Sequence, residues 1–295
     1  MICGFHAWQY NRDGKAVGIP TCTMVFGKPP HEIDARLRPI ELATCGAMIF
    51  GRFPPAQPSA HAAQSLEDYL GDGFTTLEAM AEIIARPIYL ERSIRASWRL
   101  DMHISMDDHH SPPFHATTLG RDGYIPSMSV RRYFRVGSGG AYLLSDDEDC
   151  FDKLVSGCRD GTYRSAHFFV LQFPPDLVVA LVDTDRPHWY SYILQYAPVA
   201  HDRTAFRSWS YPAPFASDFT WLTRAARPIT DLFRRPIYRH CYSRVVDEDA
   251  AVCERLQETA HQVERAPILG ALEERIGWFE ESLRLLTATT TDEAK

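Results

Sequence analysis

The strongest constraint on the fold is a series of strand-like segments in the second half of the chain. Apolar and polar residues alternate there in short runs separated by Asp, Gly and Pro, which is typical of half-buried strands in an antiparallel sheet. From 248 to about 286 the apolar residues instead recur at steps of three and four, which predicts two helical stretches separated near Ala266 and Pro267. We therefore expect an α+β domain. The predicted strands cover 130–136, 141–144, 167–173, 177–183, 191–199 and 204–210.

The first part of the chain has a different pattern. Short strands are predicted at 5–10, 23–26 and 44–50, broken by Gly and Pro. A Pro/Ala/Ser segment at 54–60 follows and is typical of a linker. We expect one domain over 1–52 and a second over 53–295. Within the second domain, Ser65 and Asp68 predict a capping box at the start of a short helix, and 84–102 is expected to be extended.

Composition and charge exclude several classes of protein. The chain has 295 residues, of which 45% are hydrophobic, and this is enough for one large core with a small appended domain. A formal net charge of -7 gives no electrostatic reason to expect nucleic acid or an anionic membrane as a partner. No apolar run approaches the roughly 20 residues that span a bilayer. The N-terminus lacks a secretion signal, so a cytoplasmic location is expected.

The seven cysteines are an odd number and are scattered along the chain, so we expect reduced thiols and not a disulfide framework. No C-x-x-C pair occurs, which argues against a zinc ribbon or a thioredoxin-type motif.

One polar segment carries metal-ligating chemistry. Asp107, His110 and His115 have the spacing D-x-x-H-x-x-x-x-H. Two neutral imidazoles and one carboxylate on one side of a ferrous ion leave positions open for dioxygen, so the segment is a candidate mononuclear iron site whose third ligand must come from elsewhere. A loop of Asp, His, Ser and Pro is also common as a solvated turn, and the segment alone leaves that alternative open.

The N-terminus carries a second motif. Cys3 and His6 form a C-x-x-H pair that is followed by an aromatic-rich run and an Asp-Gly turn. Such a pair often arises by chance. However, the whole run CGFHAWQYNRDGKAVGIP resembles the region around the second ligand pair in Rieske non-haem iron oxygenases, where Cys and His bind different irons of a [2Fe-2S] cluster.

The spacing further along the chain carries the same resemblance. In this family the iron ligands follow a tryptophan at a nearly fixed interval, and here Asp107 lies nine residues and His110 twelve residues after Trp98, with His115 five further on. An aromatic residue usually stands at the position of His109, so His109 is expected to be a neighbour of the site and not a ligand. Ser97, His103 and Ile104 depart from the Asn, acidic residue and Asn that the family commonly has at those positions.

The family supplies its third ligand late in the chain. The run 245–257 resembles the start of the family's C-terminal helix, and Asp249 matches the position of the carboxylate ligand. Acidic residues also favour the first turn of a helix, and we expect that role for Asp247.

The resemblance implies a fold of two parts. It implies a helix-grip (START-like) antiparallel sheet with a long C-terminal helix, preceded by a partial β-rich Rieske domain of which 1–52 is the C-terminal remnant. A complete Rieske cluster needs a C-x-H pair as well, and no cysteine of the chain has a histidine two residues later. We therefore expect either a misassigned start codon or a chain truncated within its Rieske domain.

The resemblance also implies an activity. The intact protein is expected to be a mono- or dioxygenase that hydroxylates an apolar, aromatic substrate with O2 at a mononuclear Fe(II), receiving electrons through a Rieske [2Fe-2S] cluster from a ferredoxin or reductase, in a homotrimer. His110, His115 and Asp249 would bind this iron, Cys3 and His6 would bind the cluster, and Asp107 would bridge the two centres across a subunit boundary. A metal-free helix-grip protein that binds an apolar ligand, an inactive fragment and a metal-dependent hydrolase remain alternatives. The sequence does not identify the substrate.

Overall fold

The chain divides into an N-terminal unit, Met1–Ala63, and a C-terminal unit, Gln64–Lys295. The computed structural model describes residues 1–54, 64–79, 87–120, 131–163, 168–181, 190–212, 221–262 and 268–288. Most of the linker expected at 54–60 therefore lies outside the described residues.

The N-terminal unit contains two small antiparallel pairs of strands. A helical turn follows the first pair, where we expected a strand at 23–26. That expectation is wrong, because Thr21 and Gly27 both adopt positive φ and bracket a single turn of helix. The core of this unit consists of Ala16, Ile19 and Cys22. Its elements are β1 (Gln9–Tyr10), β2 (Ala16–Gly18), α1 (Cys22–Phe26), a 3-10 turn (Pro30–Glu32), β3 (Glu41–Cys45) and β4 (Met48–Arg52).

The C-terminal unit is built on one seven-stranded sheet in which every neighbouring pair is antiparallel. The six strands expected from the alternating pattern are present with shifted ends, and the expected mixture of helices with an antiparallel sheet is confirmed. In spatial order the strands are β5 (Ile88–Ile94), β11 (Arg203–Pro212), β10 (Tyr190–Ala200), β9 (Leu177–Leu181), β8 (Phe169–Phe173), β7 (Gly139–Leu144) and β6 (Arg131–Val136).

Helices connect and cover these strands. The capping box is confirmed, because the Ser65 hydroxyl accepts a hydrogen bond from the backbone N–H of Asp68 while the Asp68 carboxylate accepts one from the backbone N–H of Ser65. The helices are α2 (Leu66–Leu70), α3 (Asp72–Ala79), α4 (Trp98–Ile104), α5 (Ser111–Phe114), a π turn (Ala116–Gly120), α6 (Cys150–Arg159), α7 (Trp221–Thr259), a 3-10 turn (Ala260–Gln262) and α8 (Glu274–Ala288).

Two helices differ from the sequence expectations. Of the described part of this segment, 87–102, Ile88–Ile94 is a strand, and Ser97 then caps α4 by accepting a hydrogen bond from the backbone N–H of Arg99. The expected helix start at 248 is wrong, because α7 begins at Trp221 and Asp247 lies in its interior, where it pairs with Arg92. The separation expected near Ala266 and Pro267 lies outside the described residues.

The core of the C-terminal unit lies between the sheet and helices α4, α7 and α8. Burial of each large apolar side chain there contributes about 1.5–3 kcal/mol to folding. None of the helices in the described part of the chain is both long and apolar enough to cross a membrane. The buried core residues are Leu90, Ile94, Ala96, Met102, Met106, Val170, Val178, Ala180, Leu194, Tyr196, Phe206, Val246, Cys253, Ile276 and Phe279.

Candidate metal centre

Three side chains that the sequence places far apart converge in the C-terminal unit. His110 and His115 approach each other with 3.2 Å between their Nε2 atoms. Asp249 Oδ1 lies 3.0 Å from His115 Nε2 and 3.6 Å from His110 Nε2. These three residues form the group of potential metal ligands found among the described residues, with all three donor atoms within 4.8 Å of one another. The structure thus brings together the ligand set expected from sequence.

A short helix positions the two histidines. Pro112 lies in the first turn of α5 (Ser111–Phe114), where a missing N–H costs nothing and the fixed φ favours the helix. His110 immediately precedes this helix and His115 immediately follows it, and the backbone N–H of His115 donates to the carbonyl of Ser111 at 3.1 Å. One helical turn therefore presents both imidazoles to the same side.

Hydrogen bonds on the opposite ring nitrogens fix the tautomer of each histidine. His110 Nδ1 lies 2.5 Å from the main-chain oxygen of Asp107, which can only accept, so Nδ1 carries a proton. His115 Nδ1 lies 2.8 Å from Glu248 Oε2, which also accepts from the Thr118 hydroxyl at 2.8 Å. A neutral imidazole protonated at Nδ1 offers its Nε2 lone pair to a metal.

Charge in the site is shared between these groups. Burial opposes ionisation of Asp249, but the two imidazoles outweigh it and lower the pKa of the carboxyl. Burial likewise opposes protonation of His115, yet Asp249 and Glu248 outweigh it and raise the pKa of that imidazole. The carboxylate is thus stabilised in the charged form that a metal requires.

The donor set fits a divalent transition metal. Two Nε2 lone pairs 3.2 Å apart repel each other unless a proton or a cation lies between them. Asp249 Oδ1 is buried and accepts no well-aligned hydrogen bond among the described residues. Two imidazoles and one carboxylate are the ligands that non-haem ferrous sites use.

The other residues of the polar segment take different roles. Asp107 accepts hydrogen bonds on Oδ1 from the backbone N–H groups of His109 and His110, at 2.8 and 3.1 Å, and so stabilises the turn that precedes the first histidine. His109 is exposed and stands outside the ligand group.

Two carboxylates near the site were not singled out from the sequence. Glu248 fixes the ring of His115, and Asp108 is buried between Arg131 and Arg275. Asp107 and Asp108 are neighbours of the same type, and only contacts with distant residues distinguish them. No local sequence signal could have separated their roles.

A cavity of about 540 Å³ lies beside the three ligands. A cavity of this size accommodates a small organic molecule. Its wall is largely apolar and aromatic, and it includes residues of the sheet and of helices α4 and α7. Apolar and aromatic wall residues include Ile94, Tyr142, Phe168, Val170, Val178, Tyr192, Leu194, Tyr196, Phe206 and Tyr242.

The N-terminal unit places Cys3 and His6 on one exposed turn. The turn is closed by a 3.0 Å hydrogen bond from the backbone N–H of Ala7 to the Cys3 carbonyl. Backbone N–H groups of Phe5 and His6 lower the pKa of the Cys3 thiol. The remaining cysteines of this unit, Cys22 and Cys45, are buried. Among the described residues no third potential ligand is grouped with Cys3 and His6, so this pair does not fit a complete Rieske cluster.

Solved structures share the fold of the chain. A quaternary ammonium Rieske monooxygenase, CntA, aligns with a TM-score of 0.58 at 13% identity, covering 98% of this chain and 71% of its own. Naphthalene 1,2-dioxygenase from Rhodococcus sp. aligns with a TM-score of 0.60 at 16% identity, covering 98% and 76%. Dicamba monooxygenase aligns with a TM-score of 0.55 at 13% identity, covering 100% and 81%.

No protein-family model and no curated protein matches the sequence. The structural alignments nevertheless extend over nearly all of the chain, and the proteins concerned are Rieske mono- and dioxygenases. The chain therefore has the fold of a Rieske oxygenase alpha subunit.

Proposed function

We propose that the chain is the catalytic part of a Rieske-type non-haem iron oxygenase acting on an apolar, aromatic substrate. The observation that carries the proposal is the convergence of His110, His115 and Asp249 at a largely apolar cavity. These two histidines and one carboxylate would hold ferrous iron, which would supply dioxygen chemistry when bound.

The chain's own residues supply binding and orientation. Glu248 holds the His115 ring by its Nδ1 proton and so keeps Nε2 directed at the metal position. The aromatic and apolar wall of the cavity would bind the substrate and exclude water. Tyr192 and Tyr242 are two of these wall residues, with ring centroids 6.2 Å apart.

The proposal also covers the domain type of each unit and the source of electrons. α7 contacts both α4 and strand β5, which supports a helix-grip (START-like) domain. The N-terminal unit would be the C-terminal part of a Rieske domain. Cys3 and His6 would then be one of the two ligand pairs of its cluster, and this pair alone cannot hold the cluster. A ferredoxin or reductase would supply electrons.

A role for Asp107 at a subunit boundary is also proposed. A structure of a quaternary ammonium Rieske monooxygenase is described in terms of inter-subunit electron transfer. The Asp107 side chain is partly exposed, with Oδ2 3.8 Å from His110 Nδ1, so a neighbouring subunit in a homotrimer could reach it.

Metal analysis tests the proposal. The protein is purified without oxygen, loaded with Fe(II) and assayed for iron and acid-labile sulfide. We expect about one iron per chain and no sulfide. His110→Ala should lose the iron and keep its circular dichroism spectrum, while His109→Ala, the adjacent exposed histidine, should keep both. Unchanged iron in a folded His110→Ala protein would refute the site, and absence of iron from the wild-type protein would favour a metal-free binding protein.

A further inference from the structure

Beside the proposed iron site, two buried arginines share one buried carboxylate. Asp108 is shared by two guanidinium groups, with Arg275 Nη2 2.6 Å from Oδ2 and Arg131 Nη1 3.4 Å from Oδ1. The side chains of Arg131 and Arg275 are only 2% and 1% exposed. One carboxylate therefore faces two buried cations, and a buried cation without a partner is costly.

The two arginines differ in how well they are satisfied. Arg275 also donates to Gln172 Oε1 at 2.5 Å and to the Met106 carbonyl at 3.2 Å, and it lies 4.6 Å from the ring centroid of Tyr142. Arg131 makes side-chain hydrogen bonds or ion pairs only with Asp108 among the described residues, whereas the Nε atoms of both arginines are buried without a partner there. The unmatched charge is thus concentrated on Arg131.

The arginines also differ in their position relative to the cavity. Arg131 and Asp108 line the cavity that also contains the three proposed ligands, whereas Arg275 does not. Arg132 provides a contrast, because its buried Nε also lacks a partner among the described residues but the residue does not line the cavity. Arg234 and Arg244 also line the cavity, but neither is buried. Aromatic walls and a buried, underpaired guanidinium suit a ring that carries an anionic group.

We propose that Arg131 binds a carboxylate on the substrate, so that the substrate class is an aromatic carboxylic acid. The assignment of this ligand as a substrate rests on the proposed oxygenase function, but its binding does not. A carboxylate would pair with Arg131 and leave Asp108 to Arg275, which balances both buried cations.

Three probes that share the naphthyl ring system and differ in charge test the proposal: 2-naphthoate, 2-naphthamide and 2-naphthylmethylammonium. Naphthyl fluorescence gives the dissociation constant of each with the Fe(II)-loaded full chain. We expect naphthoate to bind about ten- to a hundredfold more tightly than naphthamide. Arg131→Gln should abolish this preference, and Arg132→Gln should retain it.

Arg131→Gln leaves Asp108 paired with one arginine, so the variant should fold, which its circular dichroism spectrum checks. If it does not fold, Arg131→Lys keeps the charge and should still prefer naphthoate to naphthamide. Equal binding of the acid and the amide by the wild-type protein would overturn the proposal. A preference that persists in folded Arg131→Gln would also overturn it, because the iron or another cation would then hold the carboxylate.

Tighter binding of the ammonium probe would overturn the proposal in another way and would transfer the polar role to Asp101, the other buried acid in the cavity wall. The titration measures binding and not turnover. A chain that binds naphthoate through Arg131 but binds no iron would refute the oxygenase function and leave the carboxylate site intact.

Discussion

The two units of the chain hold their candidate metal ligands in different ways. In the C-terminal unit, His115 is 3% exposed and is contacted on both ring nitrogens, by Glu248 on Nδ1 and Asp249 on Nε2. In the N-terminal unit, His6 is exposed and the turn around Cys3 is held by backbone hydrogen bonds. Both units carry a recognisable sequence motif. In the C-terminal unit, however, contacts from distant parts of the chain also hold the side chains of the motif in place.

Separating the two units should give the largest effect. Residues 64–295 expressed alone should bind about one Fe(II) per chain, as the full chain should, and 1–63 should bind none. The reason is that the three donors and Glu248 all lie in the C-terminal unit. Metal analysis of each folded fragment after Fe(II) loading is the measurement. A folded 64–295 fragment without iron would show that the N-terminal unit contributes to the site.

Removing a buried charge from the C-terminal unit should cost more stability than removing an exposed charge from the N-terminal unit. Asp108→Asn leaves Arg131 and Arg275 without a counter-charge and should lower the free energy of unfolding by about 3–5 kcal/mol. Asp34→Asn is the control in the N-terminal unit, because the Asp34–Arg36 pair is 85% and 57% exposed and should matter by less than about 1 kcal/mol. Urea unfolding measures both. Similar losses would mean that burial does not distinguish the two pairs.

Asp101 should make the stability of the C-terminal unit depend on pH. Burial raises its pKa from 3.8 to about 6, against the opposing effect of Thr204 and Cys253. The folded state therefore binds more protons than the unfolded state between these values, and this contribution to stability is lost as the pH rises from about 4 to 6. Asp101→Asn should be more stable than the wild type by up to about 3 kcal/mol above pH 6 and nearly equal to it below pH 4.

Urea unfolding of the metal-free protein between pH 4 and 8 measures this effect. A constant difference between Asp101→Asn and the wild type at all pH values would contradict the assignment.

The smallest expected effect concerns the residue that orients His115. Glu248→Gln removes the charge that holds the Nδ1 proton and should weaken Fe(II) binding about ten- to a hundredfold without loss of fold. Glu41→Gln, which removes an equally charged partner of Arg52 in the N-terminal unit, should leave Fe(II) affinity unchanged. Competition with a calibrated Fe(II) chelator compares the two. Equal Fe(II) affinities of the two variants would show that Glu248 has no influence on metal binding.

The sequence predicted the parts of the fold that local patterns determine. Alternation located six of the seven strands of the sheet, and the Ser65 and Asp68 pair located a helix start. It did not predict that α7 begins at Trp221, because Pro228 and Pro236 lie within that helix and an internal proline ordinarily ends one. The helix nevertheless continues through both prolines, although Ile229 and Ile237 next to them are exposed, so core packing does not explain its continuation there.

The three candidate metal ligands were predictable from the sequence, but the residues that support them were not. Spacing and resemblance pointed to His110, His115 and Asp249, and the structure brings these three together. The roles of Asp108 and Glu248 depend on partners 167 and 133 residues away, Arg275 and His115. Contacts at such separation leave no trace in a local pattern.

Helix α7 contributes both to the candidate metal centre and to the cavity wall. It carries Glu248 and Asp249, and it also supplies Tyr238, Tyr242 and Val246 to the cavity wall. A displacement of this helix that widened the cavity would pull the two carboxylates away from His115 at the same time. Under the proposed function, access for a substrate and retention of the metal would therefore be coupled through this one helix.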